Sequence, residues 1–407
     1  MNNKMIIARS EILEKSIILA FFFASTIVWT PLIPAFLNIN TGFVYLSIIF
    51  FLLLFVFINY GIKKNEIVLA LLIEVYFILL AIITQSDVNF NRYVLFPFGL
   101  LIAWNCARDA RFMDEFSKLL TGFVGLGVIF GWISFFYVLQ GGNAFFEFPN
   151  VDGRINGWYL TSLSNAVING VARISFIYDE PGAFSFVICI AVILRELLNK
   201  NRTLSMFIIS GGVITFSFIH VIITTFYFLL VLNGRYKIIL LLIVASFASY
   251  TLNDSRFEFF YDRFQKSDDV GSGFNNRTVQ LSNFAKVVND DPSVLFLGDY
   301  KCHDRELKMC VEHGDISSSI ATPIYQGGMW MFVFQFFTHA LLIFLMFKRK
   351  FLFAAFSLSL LLLQRPYFSQ IGYQLLIYIS VFYMTISSGF LRRRVSKFQH
   401  RYNYDKK

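Results

Sequence analysis

Apolar runs long enough to cross a bilayer recur from end to end of this chain, separated by short connections that are alternately basic and nearly uncharged. A helix needs ~20 apolar residues to span the hydrocarbon. Only helices and closed barrels satisfy their own backbone there. The pattern therefore predicts an all-α polytopic membrane protein. Composition agrees. The chain is 57% hydrophobic and 15% charged, with 51 Phe among 407 residues, whereas about a quarter of the residues in a soluble domain are charged.

The runs fit twelve spans, near residues 16–37, 42–60, 66–84, 93–106, 119–139, 182–198, 203–217, 219–233, 237–252, 323–347, 351–364 and 369–391. Lys4, Arg9 and Lys15 precede the first run. That run is too long for a signal-peptide core and lacks a small-residue cleavage site, so it reads as a retained helix. The seventh and eighth spans share one run, Leu204 to Leu232, which predicts a break near Ser217 to His220. With a cytoplasmic N-terminus, the basic clusters Lys63-Lys64, Arg108 to Lys118, Arg195 to Arg202, Arg235 to Lys237, Lys348 to Lys350 and Arg392 to Lys407 all fall inside. The short outer connections carry at most one basic residue each, at Arg92 and at Arg365. This is the positive-inside pattern, and it predicts two cytoplasmic termini. The net charge of +9 is then a topology signal, and nucleic acid is excluded as a partner.

Within this single membrane domain, 1–407, two outer loops are long, residues 140–180 and 253–322. Loops of that length are usually functional or separately folded, and the cytoplasmic ones are too short to house a site. In the second loop, Asn276 suits an N-cap for a helix over Arg277 to Val288, with Leu281, Phe284, Ala285 and Val288 on one face, and Val294 to Leu297 reads as a short strand. Cys302 and Cys310 read as a disulfide in an oxidising compartment. That reading stands ahead of two free thiols, and of a metal site drawn from Cys302, His303, Asp304 or His313, whose spacing matches no zinc pattern.

The segment Arg173-Ile-Ser-Phe-Ile-Tyr-Asp-Glu-Pro181 joins the first loop to the apolar run Ala183 to Leu198. Asp179 and Glu180 fall where a helix N-terminus favours negative charge, and proline is tolerated in a first turn. An anchoring ion pair at the water interface explains these charges as well as catalysis does. Arg173 and Arg277 each begin an ordered element, and arginine suits bidentate phosphate contacts. The second loop is not a general anion sponge, because it carries eight Lys/Arg against twelve Asp/Glu. His313 and Asp315 stand before the tenth span and could serve as base and orienting carboxylate, or simply cap a helix. Glu74 lies inside the third span and His339 inside the tenth, where ionisable groups are expensive and functional by default.

Three short motifs carry a family resemblance. They are Arg173 through Glu180-Pro181 to Phe184, Gly273 to Lys286 around Arg277, and His313-Gly314-Asp315 followed by Gly327-Gly328. With the twelve spans and two long outer loops, the chain resembles the O-antigen polymerases (Wzy-type) of bacterial surface-polysaccharide assembly, which are related to the O-antigen ligases. Ligases usually show His-Asn where this chain has His-Gly-Asp. The resemblance implies a multi-pass protein of the bacterial inner membrane. It would polymerise undecaprenyl-diphosphate-linked repeat units by glycosyl transfer on the outer face, without metal or cofactor. It further implies Arg173 and Arg277 on the diphosphate and Glu180, His313 or Asp315 as the base. The implied partners are lipid-linked glycans, membrane lipids and a chain-length regulator. A lipid-linked oligosaccharide flippase or transporter is the rival, and it would use charges within the spans, as at Glu74; an O-antigen ligase, whose loss would leave polymer made but unattached, is the third reading.

Overall fold

The computed structural model describes residues 13–37, 39, 41–84, 95–149, 155–232, 234, 237, 254–257, 275–298, 320–365, 367–368 and 372–389. They are mostly helical. The first apolar run is a helix over 13–22 (α1) that passes into a π-helical turn, Phe23–Ile27, and then a short helix α2 (Leu32–Leu37). Ser25 and Thr26 both donate hydroxyls to Phe22 O, at 3.2 and 2.5 Å. Such back-bonding competes with the helix ladder and opens it.

The next helices are α3 (Thr41–Tyr60), α4 (Lys64–Thr84), α5 (Phe96–Ala107) and α6 (Ala110–Leu139). Beyond five short strands follow α7 (Pro181–Leu197), α8 (Arg202–Gly211), α9 (Phe218–Leu230), α10 (Asn275–Asp290), α11 (Val294–Leu297), α12 (Thr322–Met346), α13 (Leu352–Gln364) and α14 (Tyr373–Ser387). Three of the described helical stretches are long and apolar enough to cross a membrane: Thr41–Tyr60, Ala110–Leu139 and Gly327–Met346. Shorter apolar helices, Phe96–Ala107, Arg202–Thr215, Phe218–Leu230 and Tyr373–Ser387, fall at four of the nine other expected spans, whereas 237–252 lies outside the described residues.

The core is built around α7. Every side chain from Pro181 to Arg195 is buried, as expected of a helix that is apolar on all sides. α6, α8, α9, α13 and α14 pack around it. The run Leu204 to Leu232 is broken, as its length required. α8 tightens into a 3-10 turn at Gly212–Thr215, Phe216 takes a left-handed φ of 46°, and α9 begins at Phe218. His220 lies inside α9, past the break. Its Nε2 meets Ile209 O at 2.7 Å and its Nδ1 meets Ser185 Oγ at 3.2 Å, tying both arms of the break to α7.

One expectation for the second loop needs correction. Val294–Leu297 is a helical turn, not a strand. A four-residue apolar run has too few repeats to separate the two periods. The expected helix is present over Asn275–Asp290, where Gln280 and Val287 are buried. Val287 packs with Val294 of α11, against Phe284 of its own helix and Tyr325 of α12. α12 kinks at Gly327 and Gly328. Gly328 has φ +65°, and a Cβ there would sit 2.5 Å from the carbonyl carbon of Phe296, so α11 can approach α12 only over a glycine.

The first long loop is not simply coil. It forms an antiparallel sheet, β1 (Phe146–Pro149), β2 (Ile155–Tyr159) and β3 (Ser162–Ser164), and a two-residue ladder, β4 (Val167–Ile168) with β5 (Val171–Ala172). This small sheet structure adds to an otherwise helical chain. β5 packs on the end of α6, where Phe135, Val138, Val171, Ala172, Ile174, Ile214 and Phe216 make a small separate core.

Candidate functional site

Residues 173–180 run between the β3–β4 region and the break that precedes α9, and both hold them. Leu163 N donates to Phe176 O at 2.6 Å and Ser175 N returns to Leu163 O at 2.9 Å. Ser164 Oγ donates to Arg173 O at 2.9 Å, and Asn165 Nδ2 to Asp179 O at 2.7 Å. On the other side, Ile174 N donates to Ile214 O at 3.1 Å and Arg173 Nη2 to Phe216 O at 3.4 Å. Phe176 is forced to a φ of 56°, a costly conformation for an aromatic residue. Its buried ring packs on Phe123 and Phe184, over a glycine, Gly127.

The segment delivers Glu180 as the N-cap of α7, with Pro181 at the first helical position. The Glu180 carboxylate does not cap its own helix. It reaches Arg365, at the end of α13, in an ion pair through Oε1. Tyr367 OH donates to the same oxygen at 3.3 Å and accepts from Arg365 Nη1 at 2.5 Å. The two charged side chains are 19% and 18% exposed. Burial pulls the Arg365 pKa down and the Glu180 carboxylate, with Tyr367, pushes it up. The charges win, and the guanidinium is held well above its ordinary value. The ring of Tyr367 stacks on Tyr373 at 4.5 Å, and both pack on Phe186.

Three chain segments thus meet at one end of the bundle: the loop before α7, α7 itself and the α13–α14 connection. Chemically they offer a carboxylate, a guanidinium and a phenol within hydrogen-bonding distance. As arranged, Glu180 Oε1 serves Arg365 and Tyr367, so proton abstraction by that oxygen requires the pair to open. At the same end Arg256 makes a bidentate contact with Asp254, at 2.7 to 3.1 Å, and donates to Leu139 O at 3.1 Å. Part of the second long loop therefore reaches the exit of α6.

The backbone of Arg277 lies in the first turn of α10, and its side chain is outside the described residues. His313, Asp315, Cys302 and Cys310 also lie outside them. Among the described residues no three His, Cys, Asp or Glu side chains are grouped to hold a metal ion. No protein-family model, curated protein or solved structure matches this chain. The resemblance therefore rests on its own motifs.

Arg365 and Tyr367 were not among the residues singled out from the sequence. The signal was present. Arg365 is a lone basic residue in a connection that the charge pattern places on the side poor in Lys and Arg. Such an exception to the pattern has to be explained by what it pairs with.

Within the bundle, Glu74 is buried, and its Oε2 has no hydrogen-bond partner among the described residues. His339 Nδ1 meets Ser359 Oγ of α13 at 3.1 Å.

Proposed function

We propose that this chain is a lipid-linked oligosaccharide polymerase of the bacterial inner membrane. It extends a glycan held on undecaprenyl diphosphate by glycosyl transfer at the outer face. The observation that most supports this reading is the polar cluster of Glu180, Arg365 and Tyr367 at one end of the helix bundle. A lipid diphosphate leaving group needs fixed positive charge aimed at it. The acceptor hydroxyl needs a base within reach. A carrier with an isoprenoid tail must enter sideways from the bilayer, so such groups belong at the membrane surface.

In this scheme Arg173 and Arg277 hold the diphosphate, and Glu180, His313 or Asp315 takes the acceptor proton. Both chain termini are cytoplasmic and twelve spans carry the loops 140–180 and 253–322 on the outer side. Replacing Arg173 or Arg277 with alanine should abolish long-chain polysaccharide while the protein remains in the membrane. Normal chain ladders from both variants would refute the assignment.

A second reading, a lipid-linked oligosaccharide transporter, draws on Glu74. Its buried carboxyl, with an oxygen unpartnered among the described residues, is what a proton-coupled carrier would place among its spans. Deletion separates the two. Loss of a polymerase leaves single repeat units displayed outside, and loss of a transporter leaves them inside.

A further inference from the structure

The turn joining β2 to β3 is built unlike a turn in water. Its tip, Leu160, has a φ of 58°, a conformation that glycine or asparagine adopts far more readily than leucine. Its side chain is nonetheless 42% exposed. The polar groups of the turn point the other way. Tyr159 O accepts from Ser134 Oγ, and Leu160 O accepts from Trp158 Nε1 at 3.0 Å. Thr161 N donates to Ser134 Oγ at 3.1 Å, and Thr161 Oγ1 to Phe130 O at 2.7 Å. In water such groups would be satisfied by solvent. In hydrocarbon each must find a partner within the protein.

The turn is bonded to the flank of α6, a helix long and apolar enough to cross a membrane. At ~1.5 Å rise per residue, Ser134 lies about 8 Å and Phe130 about 13 Å short of the helix end at Leu139. Around that attachment Ile129, Phe130 and Ile133 are exposed. Leu160 neighbours them in the fold, because Thr161 Oγ1 donates to Phe130 O. In the sheet Phe145 and Ile155 are 62% and 59% exposed, beside the exposed Glu147. Phe146 stacks on Trp158 at 5.8 Å and meets Phe36 edge-on at 5.3 Å.

We propose that the β1–β3 sheet is a membrane foot, with the Leu160 turn seated among the acyl chains of the leaflet nearer Glu180. The occupant is lipid rather than glycan. A sugar would need hydrogen-bonding groups beside the rings, and the turn has committed its own to Ser134 and Phe130 of α6 and to Trp158 of β2. The other edge of β3 bonds to the segment that ends at Glu180, through Leu163 with Phe176 and Ser175. The foot and the candidate site therefore share one backbone network.

The inference rests on α6 crossing the bilayer, and it does not depend on which reaction the protein performs. The test is spin labelling of Leu160→Cys and, separately, Phe145→Cys, each in the full chain with Cys302 and Cys310 replaced by serine and reconstituted in liposomes. An Ile129→Cys label reports whether α6 itself faces lipid. Labels at 160 and 129 should both collide with dissolved oxygen several-fold more than with a water-soluble nickel chelate. Nickel-dominated collisions at 160 and 145 beside an oxygen-dominated 129 would overturn the foot while leaving the span intact. Shielding of the 160 label by added oligosaccharide, but not by lipid, would overturn it in favour of a glycan surface. Nickel-dominated collisions at all three sites would remove the premise itself.

Discussion

Arg365 lies across the first turn of α7, so close to Gly182 that a methyl group there would sit 2.7 Å from the guanidinium carbon. The ion pair with Glu180 therefore depends on a residue without a side chain. Gly182→Ala should push Arg365 off Glu180 and destabilise the protein by about 1–3 kcal/mol, the usual cost of overpacking. A denaturation midpoint in detergent equal to that of the unaltered protein would contradict this contact.

Glu180 and Arg365 should be energetically coupled. Removing either partner leaves the other charge partly buried, at a cost of about 3 kcal/mol, the low end for a buried pair. Removing both should cost less than the sum. In a double-mutant cycle of Glu180→Gln and Arg365→Gln, we expect a coupling energy above ~1 kcal/mol. Additive effects would show that the two side chains are independent.

Gly328 joins the second long loop to the bundle. Gly328→Ala must accommodate a φ of +65° and a contact with the backbone of Phe296. We expect a loss of at least ~1 kcal/mol and the release of α11 from α12. Limited proteolysis reads this out as faster cleavage between residues 291 and 298. An unchanged cleavage rate would argue against that packing.

His220 holds the break between α8 and α9. His220→Phe keeps the ring volume but takes the 2.7 Å donor from Ile209 O and leaves it the longer contact from Thr224 Oγ1 at 3.5 Å, at a cost of ~1 kcal/mol for a lost hydrogen bond. His220→Gln should recover part of that. Equal stability of the two variants would assign the effect to volume rather than hydrogen bonding.

Much of this architecture was legible from residues alone, because it follows from strong physical constraints. Pro181 begins α7 and Glu180 precedes it, as a proline and a carboxylate at a helix start require. The break in the run Leu204 to Leu232 was legible from the length of the run. The sheet in residues 146–164 was missed. Its strands are three to five residues long, and part of what holds the sheet is hydrogen bonding to α6, which no local pattern records. The partner of Glu180 was missed for a related reason. It lies at Arg365, far along the chain, and only the charge-rule exception marked it.

Chain growth by the purified protein is the most direct test of the account. The full-length protein, reconstituted in liposomes with an undecaprenyl-diphosphate-linked repeat unit, is assayed by the size distribution of the glycan it releases or retains. The account predicts a ladder of lengthened chains from the unaltered protein and single units alone from Arg173→Ala. Single units only from the unaltered protein, or an undiminished ladder from the variant, would contradict it.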